Sequence, residues 1–230
     1  MVRRKFLNVN LVATTLLFLP NWLKASLSLK LPNVLLLGDS ISIGYTPYVQ
    51  EQLSGIASVY RPVFENGNNE NCQGTTNGLV HIDRWIGEKQ WDVIHFNFGL
   101  HDLKHVDPVT GKNSTNKDDP YQANRKQYKR NLSVIVEKLK KTKALLIFAT
   151  TTPYPDKLDA AIRDPGFSEK YNDVALKVIK KNKIIINDLY SFVLPRMQEL
   201  QLPKNVHFTK KGSQELGKKV AAIIRNNLNK

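Results

Sequence analysis

The chain has 230 residues, of which 41% are hydrophobic and 23% charged, and its formal net charge is +14. This composition excludes an intrinsically disordered chain and fits a soluble protein long enough for one α/β domain plus a leader. The positive charge favours acidic surfaces or polyanionic polymers as neighbours. A single cysteine, Cys72, excludes an intrachain disulfide and a cysteine-based metal site.

Residues 1–25 have the composition of an export signal. Arg3–Lys5 form a charged start, Leu11–Leu19 is apolar except for two threonines, and Ala25-Ser26 offers small residues for cleavage. Two arginines followed by Phe and Leu also fit the twin-arginine motif, and the apolar stretch is too short for a membrane span. We therefore expect a periplasmic or secreted protein, with residues 26–230 as a single domain that has no stable membrane insertion after signal removal. The alternative is an uncleaved amphipathic anchor.

Short apolar runs alternate with amphipathic segments along the rest of the chain. Strands are predicted at 34–37, 57–63, 91–98, 144–150 and 184–186. Helices are predicted at 46–53, 79–86, 121–143, 171–179, 188–199 and 210–227. This alternation predicts an α/β fold with a parallel sheet covered on both faces. We expect a three-layer α/β/α sandwich, flavodoxin-like, with about five parallel strands.

The most informative stretch is NVLLLGDSISIG, from Asn33 to Gly44. Its apolar half predicts a buried parallel strand, and Asp39-Ser40 follow at the carboxyl end, where ligands bind in open α/β sheets. A helix is expected to begin near Thr46 or Pro47, which would place Ser40 beside orphan backbone N–H groups. A serine there becomes a nucleophile if a histidine reaches it. The alternative is that Asp39 and Ser40 only turn and cap the chain.

Three further loops carry distinctive residues: Gln73–Thr76, Gly99–Asp102 and Asn205–Thr209. The chain resembles the SGNH hydrolases of the GDSL esterase superfamily. Four motifs carry this resemblance: the GDS sequence, the Gly-x-x-x-Gly-Leu stretch that begins at Gly74, the GLHD turn and the VHFT sequence near the end of the chain. The resemblance runs from Val34 to the final helix.

That resemblance implies a serine esterase that needs no cofactor. Ser40 would be the nucleophile and His207 the general base. The backbone N–H groups of Ser40 and Gly74 would be oxyanion donors. His101 stands where the family usually has asparagine as a third donor, and an imidazole N–H can serve there. Asn97 is a second amide that could contribute, or a strand residue that satisfies a backbone group.

The family's usual aspartate, three residues before the histidine, is absent, because that position is Lys204. Asn205 could instead orient the imidazole of His207, although it cannot stabilise an imidazolium by charge. A slower enzyme or a Ser–His dyad is the expected consequence. We expect Asp188, after the fifth strand, to be structural.

Other functions are alternatives to the serine esterase. His101 and His105 lie four residues apart with Asp102 and Asp107 nearby, so a metal site is an alternative, although a loop there favours no metal. Nucleic acid is not an expected partner, because the lysines lack interleaved aromatic residues. We expect a small-molecule or carbohydrate ester as substrate, with O-acetyl groups first. A carbohydrate-binding member without catalysis and a lipase or thioesterase are the alternatives.

Overall fold

A computed structural model of the chain describes residues 30–159 and 162–228. The residues from Leu31 onward form one compact unit. The expected export segment, residues 1–25, lies outside the described residues. Within those residues no helix is long and apolar enough to span a membrane.

The centre of the fold is a five-stranded parallel sheet with strand order β2-β1-β3-β4-β5. The strands are β1 Asn33–Leu37, β2 Ser58–Tyr60, β3 Val93–Phe96, β4 Leu145–Ala149 and β5 Ile185–Asn187. The strand order reverses between β1 and β3. In doubly wound sheets, the loops at this point form the ligand-binding crevice. We therefore expect a ligand-binding site at the carboxyl ends of β1 and β3.

Helices cover both faces of the sheet, as the alternating sequence pattern predicts. They are α1 Ser40–Gln52, α2 Thr75–Ile86, α3 Arg125–Lys141, α4 Phe167–Lys181, α5 Leu189–Val193, α6 Met197–Leu200 and α7 Lys210–Leu228, with a 3₁₀ turn at Leu194–Arg196. One core contains side chains of α2, α3 and α4 against one face, and the other contains side chains of α1, α5 and α7. The predicted three-layer α/β/α sandwich is therefore confirmed.

The first helix begins earlier than the sequence suggested. We expected a start near Thr46 or Pro47, since proline favours the first turn of a helix. Instead α1 begins at Ser40, and the carboxylate of Asp39 accepts a hydrogen bond from the Ile41 N–H at 3.0 Å. Pro47 lies inside the helix. The aspartate cap, rather than the proline, thus marks the helix start and places Ser40 in its first turn.

Candidate active site

Ser40 and His207 meet at the carboxyl edge of the sheet. Ser40 follows β1 directly as the first residue of α1, and its Oγ lies 2.8 Å from Nε2 of His207. The two residues are 167 positions apart in the sequence. Both side chains are accessible at the surface, so a substrate can reach them. A serine and a histidine at this distance are the minimum for a base-activated nucleophile.

Backbone hydrogen bonds hold the loop that carries His207. The Leu202 N–H donates to the His207 carbonyl at 3.0 Å, and the buried Val206 side chain anchors the loop to the core. Thr209 then caps α7, because its Oγ1 accepts from the Gly212 N–H at 3.0 Å. The position of the imidazole is consequently set by the start of the last helix.

Asn205 is the partner of His207 on the side away from Ser40. Its Oδ1 accepts from the His207 backbone N–H at 3.0 Å and lies 2.8 Å from His207 Nδ1. Because the backbone N–H can only donate, the atom facing it must be the amide oxygen. The same oxygen requires a proton on Nδ1, which leaves the lone pair of Nε2 directed at the Ser40 hydroxyl. This tautomer is the one that a general base needs.

Neither the residue at the family's usual acid position, Lys204, nor the aspartate after the fifth strand, Asp188, forms a hydrogen bond with the His207 imidazole. Lys204 has a left-handed backbone (φ 51°), and its Nζ lies 4.0 Å from Oδ1 of Asp159. Asp188 caps α5 by accepting from the Ser191 N–H at 3.1 Å, and it also accepts from Thr150 Oγ1 at 3.0 Å. These hydrogen bonds lower the pKa of the Asp188 carboxyl against the effect of its burial. In the described part of the chain, the residue bonded to His207 Nδ1 is an amide, not a carboxylate.

The backbone N–H groups of Ser40 and Gly74 are available for an oxyanion. Ser40 is in the first turn of α1 and Gly74 is the residue that caps α2. Among the described residues, neither N–H donates a hydrogen bond. Both therefore belong to the unsatisfied N–H groups of a helix start, which favour a negative oxygen.

His101 remains neutral at the edge of this site. Burial foremost, together with the positive charges of Lys104, Arg163 and His207, lowers the pKa of its imidazole to about 3. Its Nδ1 is buried without a partner among the described residues. A neutral imidazole still carries one N–H, so His101 can donate a hydrogen bond without bringing a charge into the site.

Asn97 makes a side-chain hydrogen bond to the neighbouring strand. Its Nδ2 donates to the Ala149 carbonyl at 2.7 Å, which ties the end of β3 to the end of β4. This bond corresponds to the alternative of a strand residue that satisfies a backbone group.

Asp102 connects the two loops that carry the proposed oxyanion donors, a role that sequence reasoning missed. Its buried carboxylate accepts from the Thr75 N–H, with oxygens at 2.8 and 3.1 Å, and from the Thr75 hydroxyl. Burial raises the pKa of the Asp102 carboxyl to about 7. A Cβ on Gly74 would lie 3.0 Å from Asp102 Oδ2, so only glycine fits beside this carboxylate without displacement. The position of Asp102 directly after His101 was the only sequence signal for this role.

Arg163 is a second residue that sequence reasoning missed, and no motif in the sequence marks it. It is buried, and its Nε donates to the Leu100 carbonyl at 3.1 Å, directly before His101. Its positive charge also lowers the pKa of the buried Asp39 carboxyl, which desolvation raises overall. Arg163 therefore supports the turn that carries His101.

The histidine pair weighed as a metal site is divided between two roles. His105 Nδ1 lies 2.5 Å from the Asp119 carbonyl, and Nε2 lies 3.4 Å from Asp164 Oδ2. The Asp102 carboxylate is engaged by Thr75. Across residues 30–159 and 162–228, no group of three or more His, Cys, Asp or Glu side chains is arranged to hold a metal ion.

Solved structures with this fold include several esterases. An acetyl xylan esterase, AlAXEase, matches with a TM-score of 0.65 at 17% identity, covering 84% of this chain and 99% of that chain. A lipase/acylhydrolase from Enterococcus faecalis matches with a TM-score of 0.65 at 18% identity, covering 85% and 96%. A mutant of Axe2, an acetyl-xylooligosaccharide esterase from Geobacillus, matches with a TM-score of 0.62 at 13% identity, covering 85% and 94%. At these identities the likeness shows the fold alone.

Family membership comes from the sequence model. No curated protein sequence matches the chain at a significant level. The model of the GDSL-like lipase/acylhydrolase family matches residues 36–215, which include Ser40, Gly74, His101 and His207. With the fold and the family match in agreement, the chain belongs to the GDSL-like lipase/acylhydrolase family.

Proposed function

We propose that the chain is an exported serine esterase that hydrolyses acyl esters, with O-acetyl groups on carbohydrates as the substrate class. The observation that carries this proposal is the hydrogen-bonded line from Ser40 Oγ through His207 to Asn205, with 2.8 Å at each step. A structural serine cap does not need a correctly oriented imidazole, whereas a nucleophile does.

Acylation begins when the Ser40 oxygen attacks the carbonyl carbon of the ester and its proton passes to His207 Nε2. The new carbon–oxygen bond forms as the carbonyl π bond breaks, which leaves a negative oxygen on the tetrahedral carbon. The N–H groups of Ser40 and Gly74 and the imidazole of His101 stabilise that oxygen. The intermediate then expels the alcohol, which takes the proton from His207.

Deacylation repeats these steps with water as the nucleophile. His207 Nε2 accepts a proton from the water, and the hydroxide adds to the acyl carbon. The tetrahedral intermediate then breaks its bond to Ser40, and the proton on His207 returns to the serine oxygen. The products are a carboxylic acid and the free enzyme, so the reaction requires no cofactor.

Asn205 orients the imidazole but supplies no negative charge to stabilise the imidazolium that forms in both steps. We therefore expect a slow esterase. The missing carboxylate is also the observation that favours the second candidate, a carbohydrate-binding member of the family that has lost most of its activity.

The proposed substrate class has two supports. Two of the solved structures with this fold are described as esterases of acetylated xylan or xylooligosaccharide. The segments 103–120 and 151–167, which leave the carboxyl ends of β3 and β4, are rich in polar residues. A polar surface suits a carbohydrate better than a long acyl chain.

The proposed export rests on the composition of residues 1–25.

Replacement of the nucleophile tests the proposal directly. Ser40→Ala should reduce hydrolysis of p-nitrophenyl acetate by at least about 10³-fold, because the covalent route is lost. A fluorophosphonate probe should add its mass to the unaltered protein and not to the variant. Thermal unfolding of both proteins serves as the control for an intact fold.

The possible outcomes separate the candidates. Undiminished turnover or labelling in Ser40→Ala would refute the nucleophile assignment. No turnover on any ester, together with saturable binding of an acetylated oligosaccharide, would favour the binding protein. Faster hydrolysis of long-chain than of acetyl esters would favour a lipase or thioesterase.

A further inference from the structure

Lysine side chains gather at the end of the domain opposite Ser40. The helices α2, α3 and α4 run antiparallel to the strands, so their carboxyl ends lie at the amino edge of the sheet. The lysines at this end lie on the last turns of these helices and in the loops that follow. We call the following residues the lysine end: Lys89, Lys138, Lys140, Lys141, Lys143, Lys180, Lys181 and Lys183.

Contacts show that the lysine end is one continuous surface. Lys89, Lys138 and Lys141 line the same groove, of about 550 Å³, between the ends of α2 and α3. Lys140 Nζ donates to Asn182 Oδ1 at 3.1 Å, which joins the end of α3 to the end of α4. Seven of the eight lysines are exposed, and the other, Lys138, pairs with Asp83 at 2.6 Å.

Carboxylates do not balance this surface. The acidic side chains in the same segments are Asp83, Glu88, Asp92 and Glu137, half the number of lysines. Lysine at a helix carboxyl terminus interacts favourably with the helix dipole, which accounts for part of the pattern. The lysines beyond the helix ends need another explanation.

Two of these lysines occupy backbone positions where another residue would be less strained. Lys143 (φ 61°) and Lys183 (φ 55°) both adopt the left-handed conformation in turns from helix to strand. The corresponding turn after α2 uses Gly87 (φ 55°), the residue for which this conformation is unstrained. Positive charge is thus present at two sites where local backbone energetics favour glycine.

Apolar side chains are exposed at the same edge of the sheet. Leu31 lies two residues before β1 and is 37% exposed, and Ile56, in the turn before β2, is 36% exposed. The Ser58 N–H donates to the Pro32 carbonyl at 2.8 Å, which brings these two turns together. Lysine with nearby exposed aliphatic residues is the composition of surfaces that bind at a membrane interface.

We propose that the lysine end binds peripherally to a bilayer that contains anionic phospholipid. An acidic polymer would also suit the charge, but a polymer held here would lie at least one strand length, about 17 Å, from Ser40. A bilayer is favoured because it is broad enough to meet both the lysines and the exposed aliphatic residues. Bound in this way, the domain directs the carboxyl edge of the sheet, with Ser40 and His207, away from the lipid.

Co-sedimentation of the full-length chain with vesicles tests this proposal. Vesicles of phosphatidylcholine alone measure the binding that needs no anionic lipid. Vesicles of equimolar phosphatidylglycerol and phosphatidylcholine then give the anionic increment, which is the factor by which anionic lipid raises the partition constant of the protein. Each lysine near an anionic bilayer contributes about fivefold to the partition constant. The variant K140Q/K141Q/K180Q/K181Q should therefore lose at least about 100-fold of that increment.

A matched variant removes the same charge from the opposite end. Lys112, Lys117, Lys126 and Lys129 are exposed residues of the loop after β3 and the start of α3, and K112Q/K117Q/K126Q/K129Q should keep most of the increment. The variant of the lysine end should keep the hydrolysis rate of a soluble ester, because its four lysines lie at the end of the domain opposite Ser40. Equal losses in the two variants would refute a localised surface, since net charge alone would explain them. An unchanged increment in the first variant, or binding to polygalacturonate but not to anionic vesicles, would overturn the lipid proposal.

Discussion

Asn205 presents one carbonyl oxygen to two N–H groups of His207. The arrangement fixes the tautomer and the direction of the ring as a carboxylate would. It does not fix the charge, because an amide cannot stabilise the imidazolium electrostatically. At this site, orientation and electrostatic support are thus separate properties.

This separation predicts a gain of activity from Asn205→Asp. The new carboxylate can occupy the position of the amide oxygen and stabilise the protonated ring. We expect kcat/KM for p-nitrophenyl acetate to rise about tenfold or more, which corresponds to about 1.4 kcal/mol in the transition state. The measurement is steady-state kinetics above neutral pH.

Lys204→Asp provides the matched control. It introduces the same side chain one residue earlier, at the family's usual position, but the Lys204 side chain points toward Asp159 and its backbone is left-handed. We expect little change in rate. An equal gain from both variants would mean that general electrostatics, rather than contact with Nδ1, limits the reaction.

At the scale of elements, the packing of α1 against α7 sets the distance between Ser40 and His207. Ser40 begins α1, and His207 lies three residues before α7. Gly217 on α7 allows the close approach, because a Cβ there would lie 2.5 Å from Cβ of Tyr48. The two helices together position the Ser40 hydroxyl relative to the His207 imidazole.

Gly217→Ala should force α1 and α7 apart. Although alanine favours a helix over glycine, the clash should lower the free energy of unfolding by about 1–3 kcal/mol. Ester hydrolysis should fall as well, since Ser40 and His207 separate. Chemical denaturation and kinetics on the same preparation measure both effects.

Gly44→Ala is the control for this substitution. Gly44 also lies in α1 at the contact with α7, but a Cβ there would be 3.4 Å from Ser213 Oγ, an ordinary contact. We expect this variant to be neutral or stabilised by up to about 1 kcal/mol. If Gly217→Ala behaves in the same way, close packing of these helices does not set the site.

The sequence predicts the strands and helices of this fold better than it predicts the contacts between them. The five strands and the flanking helices follow from hydrophobic periodicity, which is a local property of the chain. The predicted start of α1 is wrong, because Pro47 suggests a helix start in the sequence, whereas the Asp39 cap sets the start in the structure. The bond between Asp102 and Thr75 joins loops 27 residues apart, and Arg163 reaches Leu100 across 63 residues. No local pattern encodes such contacts, so the support of the oxyanion donors could not be predicted.

At the scale of the whole molecule, buried neutral histidines make stability depend on pH. His95 is fully buried on β3, and burial lowers the pKa of its imidazole to about 3. The unfolded chain binds a proton at this residue below about pH 6.5, whereas the folded chain does not until about pH 3. The contribution of His95 is therefore complete above pH 6.5 and is lost as the pH falls.

His95→Gln should reduce this acid sensitivity. The amide cannot be protonated in this range and can still accept a hydrogen bond from Asn187, which now lies 3.1 Å from His95 Nε2. Between pH 6.5 and 4.5 the variant should lose about 2 kcal/mol less stability than the unaltered protein. Urea denaturation across this range measures the difference, and parallel losses would show that His95 does not govern the acid response.

The separation of 167 positions between Ser40 and His207 also has a consequence for folding. Four of the five strands, β2 to β5, and the helices α2 to α6 lie between the two residues, so the pair cannot form before α7 docks on α1. During synthesis or refolding, Ser40 therefore stays without its contact to His207 until α7 has docked on α1. Under the proposed mechanism, recovery of ester hydrolysis during refolding should therefore report the docking of α7 on α1, and it should follow the appearance of secondary structure.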